Sequence, residues 1–249
     1  MNGGLAYTKG QIDRAGRTLC RALLAQEPLP SAAEQAKATV ALEAFREAHR
    51  GPMDSAMEEL RSCIVMEELE VLELSQRLKR ASTIVDKLRR IPTMKLSSLQ
   101  DLGGCRAVFA TQDKVERVRA RFMANSEVRN GRPDTVRDYV TQPRDSGYRA
   151  VHLWTRYDGL RVEVQLRTQM QHAWAVNVEN LSLVTGTDYK SGAGSPDVHT
   201  WLRLLSRSNA STEAGSPPEW RHERELAEAW AAAMATIVQE ARSQEASDG

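Results

Sequence analysis

No apolar run in this 249-residue chain approaches the roughly eighteen residues that a membrane-spanning helix needs. The opening stretch MNGGLAYTKG has no apolar core of the kind a secretory signal carries, so a cytoplasmic protein with no membrane partner is expected. Cysteine is scarce. Cys20, Cys63 and Cys105 lie far apart, with no CxxC and no histidine pair nearby, which argues against structural zinc and against a disulfide framework. Charge of one sign is not in excess: the formal net charge is +1, which gives no global reason to expect a nucleic-acid partner. Internal repeats are absent. What remains is 41% hydrophobic and 27% charged, the composition of a soluble globular chain long enough to bury a core.

Periodicity divides the chain. Ile12, Ala15, Leu19 and Leu23 recur at helical spacing, and Ser31 with Glu34 forms a capping box ahead of KATVALEAF. A second box, Ser55 with Glu58, predicts a long helix through EELRSCIVMEELEVLELSQRLKR, stopping near the basic cluster or at Ile91-Pro92. From Asp101 the period shortens. GGCRAVFA reads as a strand, Asp113 with Glu116 caps a helix bearing Val115, Val118 and Phe122, and VRDYV is strand-like. The runs YRAVHLWTRY and LRVEVQLRT then read as two strands joined by an Asp158-Gly159 turn. In the second of them Val162, Val164 and Leu166 face one way, and Arg161, Glu163, Gln165 and Arg167 face the other, as the floor of a polar cleft would. QMQHAWAVNVENLSL returns to helix, and 185–219 reads as loops around one short helix, WLRLLSR. The tail carries an amphipathic stripe of Leu226, Trp230, Met234, Ile237 and Ala241. That stripe can pack on its own domain or form an oligomer or partner surface. The expectation is α+β: a mixed β-sheet flanked by helices, with helical N- and C-terminal extensions. Its parts are an N-terminal helical region (1–60), a central domain (61–184), a loop-rich linker (185–219) and a C-terminal helix (220–249).

Three groups of residues can carry chemistry. Between Arg77 and Arg90 six cations stand against one acid, Asp86; Arg77, Lys79 and Lys87 can neutralise a polyphosphate, or can simply be a solvated helix face. Asp101 and Glu163 both sit at or in strands on the polar side. Two such carboxylates suit a magnesium–phosphate site, and one can take a proton from an attacking hydroxyl; the alternative is an ordinary ion pair of Glu163 with Arg161 or Arg167. In RDYVTQPRDSGYRAVH, Arg137, Arg144 and Arg149 surround Tyr148, an aromatic amid cations that can stack a base or can cap a strand. His152 shares the face of Tyr148 and reads equally as a structural histidine. Cys105 reads as a small apolar strand residue, and Trp174 as core.

Taken in order, these segments resemble the synthetase domain of the RelA/SpoT-type alarmone synthetases. RLKRASTIVDKL resembles the family's ATP-binding segment, with Arg77, Lys79, Thr83 (usually serine there) and Lys87. LQDLGGCRAV resembles the metal-binding strand, which makes Asp101 a metal ligand and Arg106 a lining of the ATP site. RDYVTQPRDSGYRAVH resembles the acceptor loop: Arg137 and Arg144 stand where lysines are usual, Tyr148 stacks the acceptor base, and His152 follows. VEVQLRT resembles the strand whose glutamate, here Glu163, is second metal ligand and general base, and QHAWAVNVEN the closing helix, where Glu179-Asn180 departs from the usual Glu-His. The resemblance implies a nucleotidyltransferase-like fold and a pyrophosphokinase that uses ATP and Mg²⁺ without a covalent intermediate. The expectation is a small single-domain member, without the hydrolase and regulatory domains of the long ones.

YTKGQIDRAGRTL, FREAHRGPM and QHAWAVNVE further resemble a subgroup of small, often phage- or prophage-borne members, some of them toxins with an antitoxin partner. That resemblance implies the 3′-terminal adenosine of tRNA as acceptor, with Arg46 and Arg50, or Lys79, Arg80, Arg89 and Arg90, holding its backbone. The alternative acceptor is GDP or GTP, giving (p)ppGpp, and adenosine alarmones are made by others. An inactive relative that only binds nucleotides is the reading of another class.

Overall fold

The computed structural model describes residues 6–130, 134–216 and 220–248. The portions of the N-terminal region, linker and C-terminal helix at 1–5, 217–219 and 249 lie outside the described residues. The chain forms two compact units, the first of 1–107, 118–136 and 153–165, the second of 108–117, 137–152 and 166–249.

The first unit opens with helices α1 (Lys9–Leu23), α2 (Ala32–Glu47) and α3 (Arg50–Met66). The capping box expected at Ser31 is present: Glu34 N donates to Ser31 Oγ at 3.3 Å, and Ser31 N to Glu34 Oε2 at 2.8 Å. The box expected at Ser55 is not formed. α3 is capped six residues earlier, at His49, with Pro52 in its first turn, where a missing N–H costs nothing. Nor does α3 run on into the basic cluster. It stops at Met66, Glu68 takes a left-handed φ of 52°, and Glu73–Leu78 form strand β1, followed by α4 (Ala81–Arg90).

Strands β2 (Gly103–Phe109), β3 (Thr135–Asp138), β4 (Val151–Tyr157) and β5 (Leu160–Thr168) complete a mixed five-stranded sheet in the order β1-β2-β5-β4-β3. Asp158 (φ 50°) and Gly159 (φ 78°) make the expected two-residue hairpin, both in the left-handed region that a type I′ turn requires. Helix α5 (Gln112–Asn130) follows β2, and Thr111, not Asp113, caps it, its Oγ1 accepting from Lys114 N at 3.5 Å.

Ile12, Leu42, Phe45, Ile84, Leu88, Leu96, Leu99 and Leu102 form one core of this unit. Gly103 packs so closely on α3 that a Cβ there would lie 3.4 Å from that of Met53. On the far side of the unit Arg129 is held by Glu59 and Asp134 and donates to Thr155 Oγ1 at 2.6 Å, while Tyr157 donates to Glu59 at 2.6 Å. This buried network ties α3, α5, β4 and the start of β3. Burial pushes the thiol of Cys63 up to about 11 and that of Cys105 to about 12, so both are inert at neutral pH.

His49 is buried, its Nδ1 donating to Phe45 O at 2.8 Å. Burial lowers its pKa from the ordinary histidine value, the carbonyl bond opposing in part. A depressed folded pKa means the contribution is present above about pH 6.5 and is lost as pH falls through the folded value. The thermal midpoint is therefore expected to drop as pH falls below about 6.5 in the wild type. A His49→Gln variant, whatever its absolute stability, should lack that drop in a melting series across the range.

The second unit is helical: α6 (Gln169–Thr185), α7 (Pro196–Glu213) and α8 (Trp220–Asp248). The short helix expected at WLRLLSR is 18 residues long, started by Ser195, whose Oγ accepts from Asp197 N at 3.2 Å, with Pro196 in the first position. Tyr148, Ala150, Trp174, Val178, Tyr189, Leu202, Ala233 and Ile237 share one core. The C-terminal stripe thus packs on its own unit through Ile237 and Met234, joined by Ala233 from beside it, while Trp230 lies against Trp201, ring centroids 4.8 Å apart.

Candidate active site

The candidate donor residues belong to the first unit. Lys79 N donates to Leu102 O at 2.8 Å, so the pairing of β1 with β2 continues past the end of β1 and sets Lys79 beside Asp101, just ahead of β2. Lys87 reaches the same carboxylate from the last turn of α4. Asp101 Oδ2 accepts from Lys79 Nζ at 3.0 Å and Lys87 Nζ at 2.9 Å. Burial raises the Asp101 pKa, and the two ammonium groups more than offset it, holding the carboxyl below its ordinary value. Its other oxygen, Oδ1, is buried with no hydrogen-bond partner among the described residues. A buried carboxylate oxygen left unmatched is costly unless something arrives to use it.

Glu163 lies on β5, the neighbour of β2, and its backbone carbonyl sits 3.4 Å from where a Cβ on Gly104 would stand. Its carboxylate is held at both oxygens. Gln165 Nε2 donates to Oε2 at 2.7 Å, and Trp154 Nε1 reaches Oε1 from β4 at 3.5 Å. Of the two arginines on the same strand face, Arg161 donates to Ser98 O at 2.8 Å and Arg167 to the Tyr148 hydroxyl at 2.8 Å. Arg106, on β2, pairs with Glu73 at 2.7 Å, and its Nε is buried without a partner. Arg77 and Thr83 are exposed, on β1 and α4. Trp154 and Glu73 carry no sequence signal as site residues. Gln165 is the one with a readable signal, since it alternates onto the face of Glu163 two residues on.

Mg²⁺ takes one or two carboxylates together with phosphate oxygens and water. The donor set fits such an ion, because Asp101 Oδ1 carries unspent lone pairs and Glu163 supplies a second carboxylate on the adjacent strand.

The candidate acceptor residues belong to the second unit. The Asp138 carboxylate accepts from Val140 N at 2.9 Å and Thr141 N at 3.0 Å, which shapes the loop. Gly147 (φ 92°) then lies against α7, where a Cβ would come within 3.1 Å of Leu202 O, and Ser206 Oγ donates to its carbonyl at 2.5 Å. This contact fixes Tyr148, which is only 5% exposed. Arg167 donates to the Tyr148 hydroxyl at 2.8 Å, leaving the phenol proton for His152 Nε2 at 2.6 Å. Arg144 donates to the hydroxyl of Tyr139 at 2.9 Å, and Arg137 is exposed on β3. Arg149 is turned away from this loop, pairing with Glu213 at 2.6 Å.

Asp101, gripped by two lysines just ahead of β2, and Glu163, on the neighbouring strand β5, are carboxylates of the kind that a polyphosphate and a divalent cation require. Residues 76–186, from β1 to just past α6, match the family model described as "Region found in RelA / SpoT proteins". An uncharacterized protein of Mycobacterium tuberculosis is 33% identical over 108 residues, 42% of this chain and 37% of its own length. The GTP pyrophosphokinase YjbM of Bacillus subtilis is 29% identical over 149 residues, 55% of this chain and 64% of that protein. The chain thus spans little more than a third of the mycobacterial relatives it matches. Among solved structures, small alarmone synthetase 1 of Bacillus subtilis bound to its product pppGpp superposes with a TM-score of 0.56 at 23% identity, covering 70% of this chain and 93% of that one. A GTP pyrophosphokinase family protein from Streptococcus pneumoniae gives 0.54 at 22% identity, covering 76% and 96%. These likenesses establish the fold.

Proposed function

We propose that this protein is a pyrophosphokinase that moves the β,γ-pyrophosphate of ATP onto the ribose 3′-hydroxyl of GDP or GTP. The observation that carries the reading is the Asp101 carboxylate, with one oxygen clamped by Lys79 and Lys87 and the other buried and unspent. The name of the Bacillus relative and the pppGpp bound to a structural neighbour favour a guanosine acceptor. In this scheme the 3′-oxygen attacks the β-phosphorus, the bond between the α–β bridging oxygen and the β-phosphorus breaks, and AMP leaves. Lys79 and Lys87, with Arg77, Thr83 and Arg106, hold the phosphates and absorb charge that develops on them. Glu163, kept in place by Gln165, takes the hydroxyl proton. Arg137, Arg144, Tyr148 and His152 form the acceptor loop. Mg²⁺, when held by Asp101 and Glu163, supplies neutralisation across the phosphate oxygens.

The tRNA 3′-terminal adenosine is a second reading, and with it a translation-blocking toxin, with an antitoxin partner or a role in phage defence. It draws on the exposed Arg80, just ahead of α4, and Arg89 and Arg90 in the last turn of that helix. Of the other cations suggested for a tRNA backbone, Arg46 is engaged by Lys79 O and Glu43, and Arg50 by Glu47. The test incubates the protein with Mg²⁺, ATP labelled at its γ-phosphate, and either GDP and GTP or deacylated tRNA. Label is expected in a guanosine tetra- or pentaphosphate. Label on tRNA, falling steeply as salt rises, would replace that acceptor with the second reading. Label in neither, with ATP still bound, would leave a nucleotide-binding module.

A further inference from the structure

Lys79 is tied down at its backbone as well as at its charge. Its N donates to Leu102 O at 2.8 Å, and its ammonium reaches Asp101 Oδ2 at 3.0 Å. Its carbonyl lies just ahead of α4, whose bonding starts one residue later with Ile84 N on Arg80 O at 3.0 Å. The donor to Lys79 O comes from a different helix. Arg46, in the last turn of α2, reaches it with Nε at 2.7 Å.

That reach is set by the packing around Arg46. Leu42 and Phe45 of α2 share a core with Ile84 and Leu88 of α4, which fixes the two helices against each other. Glu43, one turn back, accepts from Arg46 Nη1 at 2.8 Å and steadies the guanidinium while Nε serves the carbonyl. The Arg46 side chain is 26% exposed, so this arginine is turned into the fold more than out of it.

An ammonium on a flexible four-carbon stem is placed only as well as its backbone is. Asp101 steadies the Lys79 ammonium while the carboxylate holds it. A polyphosphate that draws the ammonium toward itself loosens that hold, and the backbone bonds to Leu102 and Arg46 then keep Lys79 aimed at the site. We propose that Arg46 is a positioning residue of the donor site, pinning the backbone of Lys79 so that its ammonium stays within reach of a nucleotide's phosphates. Helix α2 is thereby part of the frame of that site, through a residue that does not itself touch substrate. The proposal rests on the reading of Lys79 as a ligand of the ATP phosphates.

Substitutions at Arg46 separate the bond from the charge. In Arg46→Gln the amide Nε2 stands as many bonds from Cα as Nε does, so a donor to Lys79 O is kept and the charge is lost. In Arg46→Lys the charge is kept, but a methylene takes the place of Nε. Arg46→Met loses both at similar length. ATP binding is measured by calorimetry in Mg²⁺, the KM values of ATP and of GDP by turnover, and folding by thermal melting. Arg46→Lys and Arg46→Met are each expected to weaken ATP binding and to raise its KM about tenfold, as loss of one hydrogen bond from a charged donor does. Arg46→Gln should stay within about threefold of wild type, and the GDP KM within about twofold in every variant.

ATP binding in Arg46→Met equal to wild type would overturn the proposal. So would an impaired Arg46→Gln beside an intact Arg46→Lys, because Arg46 would then act through its charge. Equal losses in both KM values that track the melting midpoint would overturn it too, leaving Arg46 a purely structural part. Absence of transfer to any acceptor, with ATP binding still weakened in Arg46→Lys and Arg46→Met and kept in Arg46→Gln, would sink the transferase reading and leave the positioning role standing. A wild type that does not bind ATP would remove both.

Discussion

Glu163→Gln is expected to lower pyrophosphate transfer by about 10²–10⁴-fold while leaving ATP binding within a few-fold of wild type. The substitution is nearly isosteric, so the sheet has no reason to rearrange. Gln165 Nε2 can still donate to the remaining carbonyl oxygen, as it now does to Oε2 at 2.7 Å. What disappears is the charge that serves as proton acceptor, whose contribution in general-base catalysis is of that size, and as the second of two magnesium ligands, Asp101 remaining as the other. Single-turnover transfer measured beside equilibrium ATP binding separates the two effects. Loss of both together would mean that Glu163 matters for donor binding or for folding and not for the proton. Unchanged transfer would remove it from the chemistry.

Asp101→Asn carries the second large effect, and it has two parts of opposite sign. Transfer in Mg²⁺ is expected to fall by about 10²-fold or more, since a neutral amide is a poor ligand for a hard cation. ATP binding in EDTA, by contrast, is expected to tighten about three- to fivefold. In the wild type both Lys79 and Lys87 are spent on Asp101 Oδ2, and a metal-free nucleotide has to compete with that carboxylate for them. Removing its charge frees the lysines, an effect comparable to one partly exposed charge pair of about 0.7–1 kcal/mol. Mg²⁺ should therefore strengthen ATP binding markedly in the wild type and little in the variant. Fluorescence titration with and without EDTA reads both arms, and weaker metal-free binding in Asp101→Asn would contradict this role for the lysines. The linkage has a pH side. Because the lysines hold the Asp101 carboxyl below its ordinary value, its contribution to stability is present above about pH 4 and is lost as pH falls further.

Parts of this architecture were legible before the structure because their signals are local. The Ser31–Glu34 box, the Asp158-Gly159 hairpin and the alternation of Val162, Val164 and Leu166 need only neighbouring residues to be recognised. β1 was not legible. EELEVLELSQRL is rich in good helix formers, and its chain reversal uses Glu68 in a left-handed conformation where a glycine would have announced it. The strand exists because its backbone pairs with β2, a contact that only the tertiary fold creates. That misreading also hid Glu73, the partner of Arg106. α7 was cut short because its Ser- and Thr-containing final turns resemble a loop, although Ser195-Pro196 was a legible start.

The site divides the same way. The carboxylates Asp101 and Glu163 stand out by polarity at strand positions, but their surroundings depend on register. Lys79 and Lys87 meet at one oxygen only because β1 and α4 converge on Asp101. Trp154 reaches Glu163 only because β4 and β5 pair. Tyr139 looked like one more strand aromatic until the loop folded Arg144 over it.

The proposed chemistry differs from ordinary kinase chemistry in which phosphorus is attacked, and the nucleotide by-product reports that directly. With GDP, ATP and Mg²⁺, mass spectrometry of the small molecules should show AMP formed one for one with a guanosine product heavier by two phosphates. ADP formed beside an acceptor heavier by a single phosphate would contradict the account at its centre.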